Sequence, residues 1–149
     1  MSTLIIPCYI KTSRDARCLE RLLDSVDKQT TPFERVLVID DASPIRHIVR
    51  RQFVDQIFLT ENGGPAKARN VGIERGLSAG TEILLFTDHD CVLDVNWNKE
   101  MTAFLYRTEF GAVGGMTYSL GNTLLDHYHD INGTLGGKWL LPERKELWY

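Results

Sequence analysis

Two short apolar runs constrain this chain more than any other feature. Val36-Leu37-Val38-Ile39 stops at Asp40-Asp41, and Ile83-Leu84-Leu85-Phe86 stops at Thr87-Asp88-His89-Asp90. A run that is apolar at every position has no polar face to offer water. As a strand it needs cover on both sides, which is the situation of a parallel sheet packed between helices. In open α/β sheets, ligands bind outside the carboxyl ends of the strands. Carboxylates there are hard oxygen ligands of the kind that suit Mg²⁺ or Mn²⁺, ions that in turn hold phosphate oxygens. Two acidic strand ends in one small chain therefore point to a metal-phosphate site.

The segments around these runs complete the pattern. Leu4-Ile5-Ile6 reads as a first strand. Thr12-Ser13 offers a helix cap with Asp15 in the first turn, and Ala16, Leu19, Leu22, Leu23 and Val26 follow at helical spacing, so Arg14 to Lys28 is a predicted helix ended by Thr30-Thr31-Pro32. Arg35 to Ile39 is the second strand. Ser43-Pro44 predicts a short helix over Ile45 to Arg51, with Pro44 at its first position. Gln56 to Leu59 is a third strand, and Glu61-Asn62-Gly63-Gly64-Pro65 is a loop. Ala66 to Leu77 is a Pro-started helix, and Glu82 to Thr87 is the fourth strand. Trp97, Met101, Phe104 and Leu105 predict a helix over Asn96 to Thr108. Ala112-Val113 reads as a short strand, and Asn122 as the cap of a helix carrying Leu124, Leu125, Tyr128 and Ile131. From Gly133 onward the chain reads as Gly-rich loop.

Strands alternating with helices predict an α/β fold: a doubly wound, mostly parallel sheet with helices on both faces, as a single domain over residues 1–149. Right-handed crossovers then gather Pro7-Cys8-Tyr9, Asp40-Asp41, Glu61 to Gly64 and Asp88 to Asp90 at one edge. Bulk properties narrow the function further. Lys+Arg 17 against Asp+Glu 20 gives a net charge of -3, which argues against a nucleic-acid binder held by a basic field. No apolar run approaches the roughly 20 residues of a membrane span. Met1 to Pro7 lacks the basic and long apolar regions of a signal peptide. Cys8, Cys18 and Cys91 are odd in number and without C-x-x-C spacing, which fits a reduced, cytoplasmic setting.

Asp88 and Asp90, on extended backbone, would point to one face and share an ion; a solvated turn with incidental acids is the alternative. Asp40 can accept a hydrogen bond from a nucleobase imide or a ribose hydroxyl, while Asp40-Asp41 also suits a turn and helix cap. Gly63 and Gly64 allow close backbone approach to a ligand, and the helix start after them favours anions, with Lys67 and Arg69 adding positive charge. Cys8 and Cys91 read as small buried hydrophobes rather than pocket thiols. In Asp126-His127-Tyr128-His129-Asp130 the two histidines stand about 200° apart on a helix and cannot share an ion, so a surface helix is expected. Trp97 suits core packing or sugar stacking, and for Trp139 and Trp148 neither is favoured.

Taken in order, Ile5-Ile6-Pro7-Cys8-Tyr9, Val36 to Ser43, Asn62-Gly63-Gly64-Pro65-Ala66-Lys67-Ala68-Arg69-Asn70-Val71-Gly72 and Leu84 to Asp90 resemble the family 2 glycosyltransferases of the GT-A (Rossmann-like) fold. The resemblance implies transfer of a sugar, with inversion, from a nucleotide-diphospho-sugar, a UDP-sugar being favoured, to an acceptor it does not identify. It implies that Pro7, Cys8 and Tyr9 line the base pocket and that Asp40 hydrogen-bonds the base. It implies that Asn62, Gly63, Gly64, Lys67 and Arg69 cradle the nucleotide, that Asp88 lies near the ribose, that His89 belongs to the nucleotide-binding set, and that Asp88 and Asp90 hold Mg²⁺ or Mn²⁺.

Three departures stand out. Ile10 replaces an Asn frequent after the Pro-x-Tyr element, and His89 is an uncommon middle residue for the acidic motif. No Glu-Asp pair follows Asp90: Asp126, Asp130, Glu143 and Glu146 match no motif for the general base, which is therefore expected beyond the chain end, on a truncated acceptor side. A homo-oligomer is a further expectation. Two other classes compete. Arg35 to Phe53 also looks like the opening of a response-regulator receiver, with Asp88 as phosphoacceptor and Thr117 and Lys138 as partners. Asp88 to Leu93 mimics the first motif of haloacid-dehalogenase-type phosphatases. A non-catalytic nucleotide-binding module is a third.

Overall fold

Four strands, β1 (Ser2–Cys8), β2 (Arg35–Asp40), β3 (Val54–Phe58) and β4 (Ile83–Phe86), form one all-parallel sheet in the order β3-β2-β1-β4. This computed structural model describes residues 1–121 and 123–132. The helix α1 (Ser13–Asp27) joins β1 to β2, and α2 (Gly64–Ser78) joins β3 to β4. Every residue of β1 is buried, and so are Val36 to Asp40 of β2, which is why these strands carry no polar alternation.

β1 runs past the predicted Leu4–Ile6 and takes in Pro7, although it is central. The hydrogen-bonding direction explains this. Ile5 O accepts from Thr87 N on the β4 side, and Cys8 O accepts from Asp41 N on the β2 side. Pro7 shares the direction of Ile5, and β4 pairs only as far as Phe86 opposite Ile5. The donor that proline lacks would have faced a strand that has already ended.

The two faces of the sheet are covered differently. Ile5, Leu37 and Ile39 form a core with Ala68 of α2, flanked by Ile57, Leu59, Val71, Ile73 and Leu84. Ala68, Gly72 and Gly76 are the buried positions of α2 and recur every four residues. A Cβ on Gly72 would collide with Ile5 Cγ2, and one on Gly76 would lie 2.8 Å from Leu84 Cδ2. These small residues let α2 lie directly on β1 and β4. Leu4, Ile6, Val36 and Val38 alternate to the other face. The right-handed β1-α1-β2 crossover assigns that face to α1, whose stripe Leu19, Leu22, Leu23 and Val26 is buried. α1 starts with a complete capping box between Thr12 and Asp15.

Two predicted elements do not form. Residues 45–51 are not helical despite the Ser43-Pro44 start signal. The side chain of Gln56 in β3 takes the backbone instead: its Oε1 accepts from Val49 N at 2.9 Å and its Nε2 donates to His47 O at 2.8 Å. Glu20 of α1 then binds His47 Nε2 at 2.7 Å and Arg51 at 2.9 Å, and Arg51 also reaches Asp24. Burial opposes the charge on Glu20, but the bonds from His47 and Arg51 outweigh it and hold that carboxyl below its ordinary value. Ala112-Val113 is likewise not a strand.

The first compact unit covers Met1–Ala103 and the second begins at Phe104. The helix α3 (Trp97–Arg107) starts in the first, where the Trp97 ring packs on Phe33 with centroids 6.3 Å apart, in line with the core-packing reading. In the second, α4 (Leu124–Asn132) falls where the helical spacing of Leu124 to Ile131 predicts it, and Thr123 and Asp126 hydrogen-bond one another across its start. The expected cap Asn122, the Gly133 loop, Lys138, Trp139, Glu143, Glu146 and Trp148 lie outside the described residues.

Candidate functional site

In the order β3-β2-β1-β4 the chain builds outward from β1 to β3 and then returns to β1's other side. The switch point, where open α/β sheets bind their ligands, lies between the carboxyl ends of β1 and β4. Cys8-Tyr9 forms one lip and Thr87-Asp88 the other. The end of β2 and the start of α2 adjoin the first lip through a chain of hydrogen bonds. Asp41 N donates to Cys8 O at 2.9 Å, Ile10 N to Ser43 Oγ at 2.7 Å, and Asn62 Nδ2 to Asp41 O at 3.1 Å.

The two carboxylates after β2 are buried and divided in role. Asp40 is 1% exposed; its Oδ1 accepts from Ser43 N at 2.7 Å, and its Oδ2 is buried with no partner among the described residues. Such an oxygen carries an uncompensated desolvation cost. Asp41 is 3% exposed and accepts from Gly63 N at 2.9 Å through Oδ1 and from Gly64 N at 2.7 Å through Oδ2. The residue between Asp41 and Ser43 is strained: Ala42 has φ +55°, a left-handed conformation unusual for a residue with a Cβ.

Cys8 is buried beside this pair. Burial, then the Asp40 and Asp41 charges, push its thiol up to about 12. It stays protonated and neutral, a packing residue rather than a nucleophile or ligand. Pro7 is buried in β1. Tyr9 is half-buried, with the Lys11 ammonium 5.1 Å from its ring centroid. Ile10, where resemblance leads one to look for Asn, is fully buried and belongs to the core.

The other lip is open. β4 ends at Phe86, and residues 89–90 form a turn in which Cys91 N donates to Asp88 O. The extended backbone that would put Asp88 and Asp90 on one face is therefore not present. Both acids are exposed. Asp88 is held by Arg69 of α2 at 2.5 Å, which ties the α2 start to the β4 end. His89 is half-buried. It adds weakly to the lowering of the Asp15 carboxyl, behind the Thr12 and Lys11 amides that dominate it. Lys67 turns back to Glu61 at 2.7 Å, and that bond holds the Glu61 carboxyl below its ordinary value.

Among the described residues no group of three or more His, Cys, Asp or Glu is placed to hold a metal. An acidic turn with two exposed carboxylates still suits Mg²⁺ or Mn²⁺, which are commonly bound through one or two carboxylates together with substrate phosphates. Residues not singled out from the sequence also build the site. Ser43 ties β1 to β2, and Gly72 sets the closeness of α2. The signal for Asp41 was present: Gly63, the residue before α2, has no side chain with which to cap it.

An α/β domain with acidic loops at the carboxyl ends of its strands is the class that fold and site define. Comparison with known proteins makes this particular. The description "Glycosyl transferase family 2" matches residues 3–147, and the chain belongs to that family. It is 31% identical over 102 residues to an uncharacterized glycosyltransferase of Haemophilus influenzae, covering 66% of this chain and 33% of that protein. It is 33% identical over 119 residues to the succinoglycan biosynthesis protein ExoW of Rhizobium meliloti, covering 74% of this chain and 35% of that one. The crystal structure of S. aureus TarS 1-349 in complex with UDP-GlcNAc superposes with a TM-score of 0.63 at 26% identity, over 83% of this chain and 36% of that chain. The fold is thus the GT-A fold. The chain spans about a third of the length of these relatives. Family membership sets aside the receiver and dehalogenase readings.

Proposed function

We propose that residues 1–103 bind the nucleotide-diphospho-sugar donor of a family 2 glycosyl transfer, with a UDP-sugar as the donor. One observation carries this reading: the buried Oδ2 of Asp40, which has no partner among the described residues. An ionised carboxylate only accepts, so its complement is a ligand N–H or O–H. Uracil supplies an imide N–H at N3, whereas cytosine presents an acceptor there. Pro7 and Tyr9 wall the base, Cys8 fills the space beneath it as a neutral side chain, and Arg69, Asp88 and His89 flank the ribose and diphosphate. Asn62, Gly63, Gly64 and Lys67 act one step removed, by shaping the loop that carries α2. Asp88 and Asp90 are the ligands for Mg²⁺ or Mn²⁺, which supplies neutralisation of the charge that grows on the leaving diphosphate. No residue of this chain is assigned the general base, and the acceptor is not specified. Three free cysteines support a cytoplasmic setting.

Calorimetric titration with UDP, CDP, GDP and ADP, each with and without Mn²⁺, tests the reading. UDP is expected to bind more tightly than CDP, with Mn²⁺ strengthening binding, and Asp40→Asn is expected to erase the preference for UDP over CDP. Equal binding of UDP and CDP by the wild type overturns it.

A further inference from the structure

The carboxylate of Asp41 stands at the place where a nucleotide diphosphate would ordinarily be sought. The first N–H groups of a helix attract anions, and a Gly-Gly loop lets a phosphate come close. Here α2 has no acidic residue in its first turn and no capping side chain on Gly63. Its capping anion comes from more than twenty residues away. Asp41 Oδ1 takes Gly63 N and Asp41 Oδ2 takes Gly64 N, at 2.9 Å and 2.7 Å, and Asp41 is nearly inaccessible to solvent. Gly64 itself sits at φ +82°, open to a glycine and strained for any other residue. Asp41 is also pinned through its backbone: its N–H donates to Cys8 O, and its carbonyl accepts from Asn62 Nδ2. Asp41 thus joins the ends of β1 and β2 to the start of α2, the helix from which Arg69 reaches Asp88.

We infer that Asp41 is a positioning residue of the nucleotide site, an internal anion that occupies the α2 start and so directs the diphosphate to Arg69 and the Asp88–Asp90 turn. This rests on reading the lip as a nucleotide site. The two adjacent aspartates then have separate tasks. Asp40 keeps a free oxygen for the ligand, and Asp41 spends both of its oxygens on the protein. The cost of the arrangement is that the glycine loop holds no phosphate. The gain is that α2 keeps one register against β1, and Arg69 one place against Asp88.

Chemical rescue distinguishes positioning from plain stabilisation. In Asp41→Ala the amides of Gly63 and Gly64 lose their acceptors. UDP affinity in the presence of Mn²⁺ is expected to fall by about tenfold or more, and formate, a carboxylate without a side chain, is expected to restore both that affinity and the shifts of these two amides in ¹⁵N-¹H spectra. Inorganic phosphate should move the same two amide signals in the variant and leave them still in the wild type. Asp41→Asn, which keeps one acceptor oxygen, should fall between the two and serves if the alanine variant does not fold. The inference is overturned if formate restores the melting temperature without the affinity, if the variants bind UDP as the wild type does, or if phosphate moves the two amides in the wild type. Absence of UDP binding by the wild type would instead sink the underlying reading, while the amide shifts would still report on the cap.

Discussion

The ends of β2 and β4 each carry two carboxylates, and the protein treats them in opposite ways. Asp40 and Asp41 are 1% and 3% exposed, and three of their four oxygens are taken by backbone N–H groups. Asp88 and Asp90 lie exposed beyond a strand that has already ended, and Arg69 is the cation that holds Asp88. One lip is finished by the protein's own hydrogen bonds except at Asp40 Oδ2, and the other stands open to solvent. A pair of acids at a strand end therefore does not by itself say whether it serves the fold or the ligand. Burial and the fate of each oxygen decide that.

Substitution should separate the two lips by size of effect. Asp41→Ala removes a buried charged acceptor with two hydrogen bonds from backbone amides and is expected to cost roughly 3 kcal/mol in urea unfolding. Asp88→Ala removes an exposed ion pair and should stay within about 0.5 kcal/mol of the wild type. Equal losses would erase the distinction. Gly72→Ala tests the seating of α2 beneath the finished lip. The added methyl meets Ile5 in a fully buried strand, and overpacking of that kind is expected to cost about 2 kcal/mol. A change below about 0.5 kcal/mol would show that α2 can retreat freely. Asp90→Ala should leave the unfolding midpoint unchanged while weakening Mn²⁺-dependent UDP binding about tenfold, or about 1.4 kcal/mol. Loss of stability without loss of binding would move Asp90 to the structural side. A small change of opposite sign is expected from Ala42→Gly. Relief of the left-handed strain at φ +55°, partly offset by the freer unfolded chain, should raise stability by about 0.5 kcal/mol.

Much of this could be read from the chain before any coordinates. Uninterrupted apolar runs mark β1, β2 and β4, helical spacing marks α1, and Pro65 marks the start of α2; with β3 these elements fall within a few residues of their predicted places. Residues 45–51 show the limit. Pro44 is a genuine helix-start signal, yet Gln56 and Glu20 bind the segment from β3 and α1, and contacts of that range leave no trace in a local window. The acidic turn failed for a related reason: β4 stops pairing at Phe86, so the same-face rule for extended backbone does not reach Asp88 and Asp90. Ile10 shows the reverse. It stood out only as a departure from a motif, and packing shows a core residue with its N–H on Ser43.

The lips can be seen at work in a crystal grown with UDP and Mn²⁺. Expected is the uracil imide N–H within hydrogen-bond distance of Asp40 Oδ2, Asp41 still on Gly63 and Gly64, and the ion between the diphosphate and the Asp88–Asp90 turn. A diphosphate seated on the Gly63 and Gly64 amides, or a base bound away from Asp40, would contradict it.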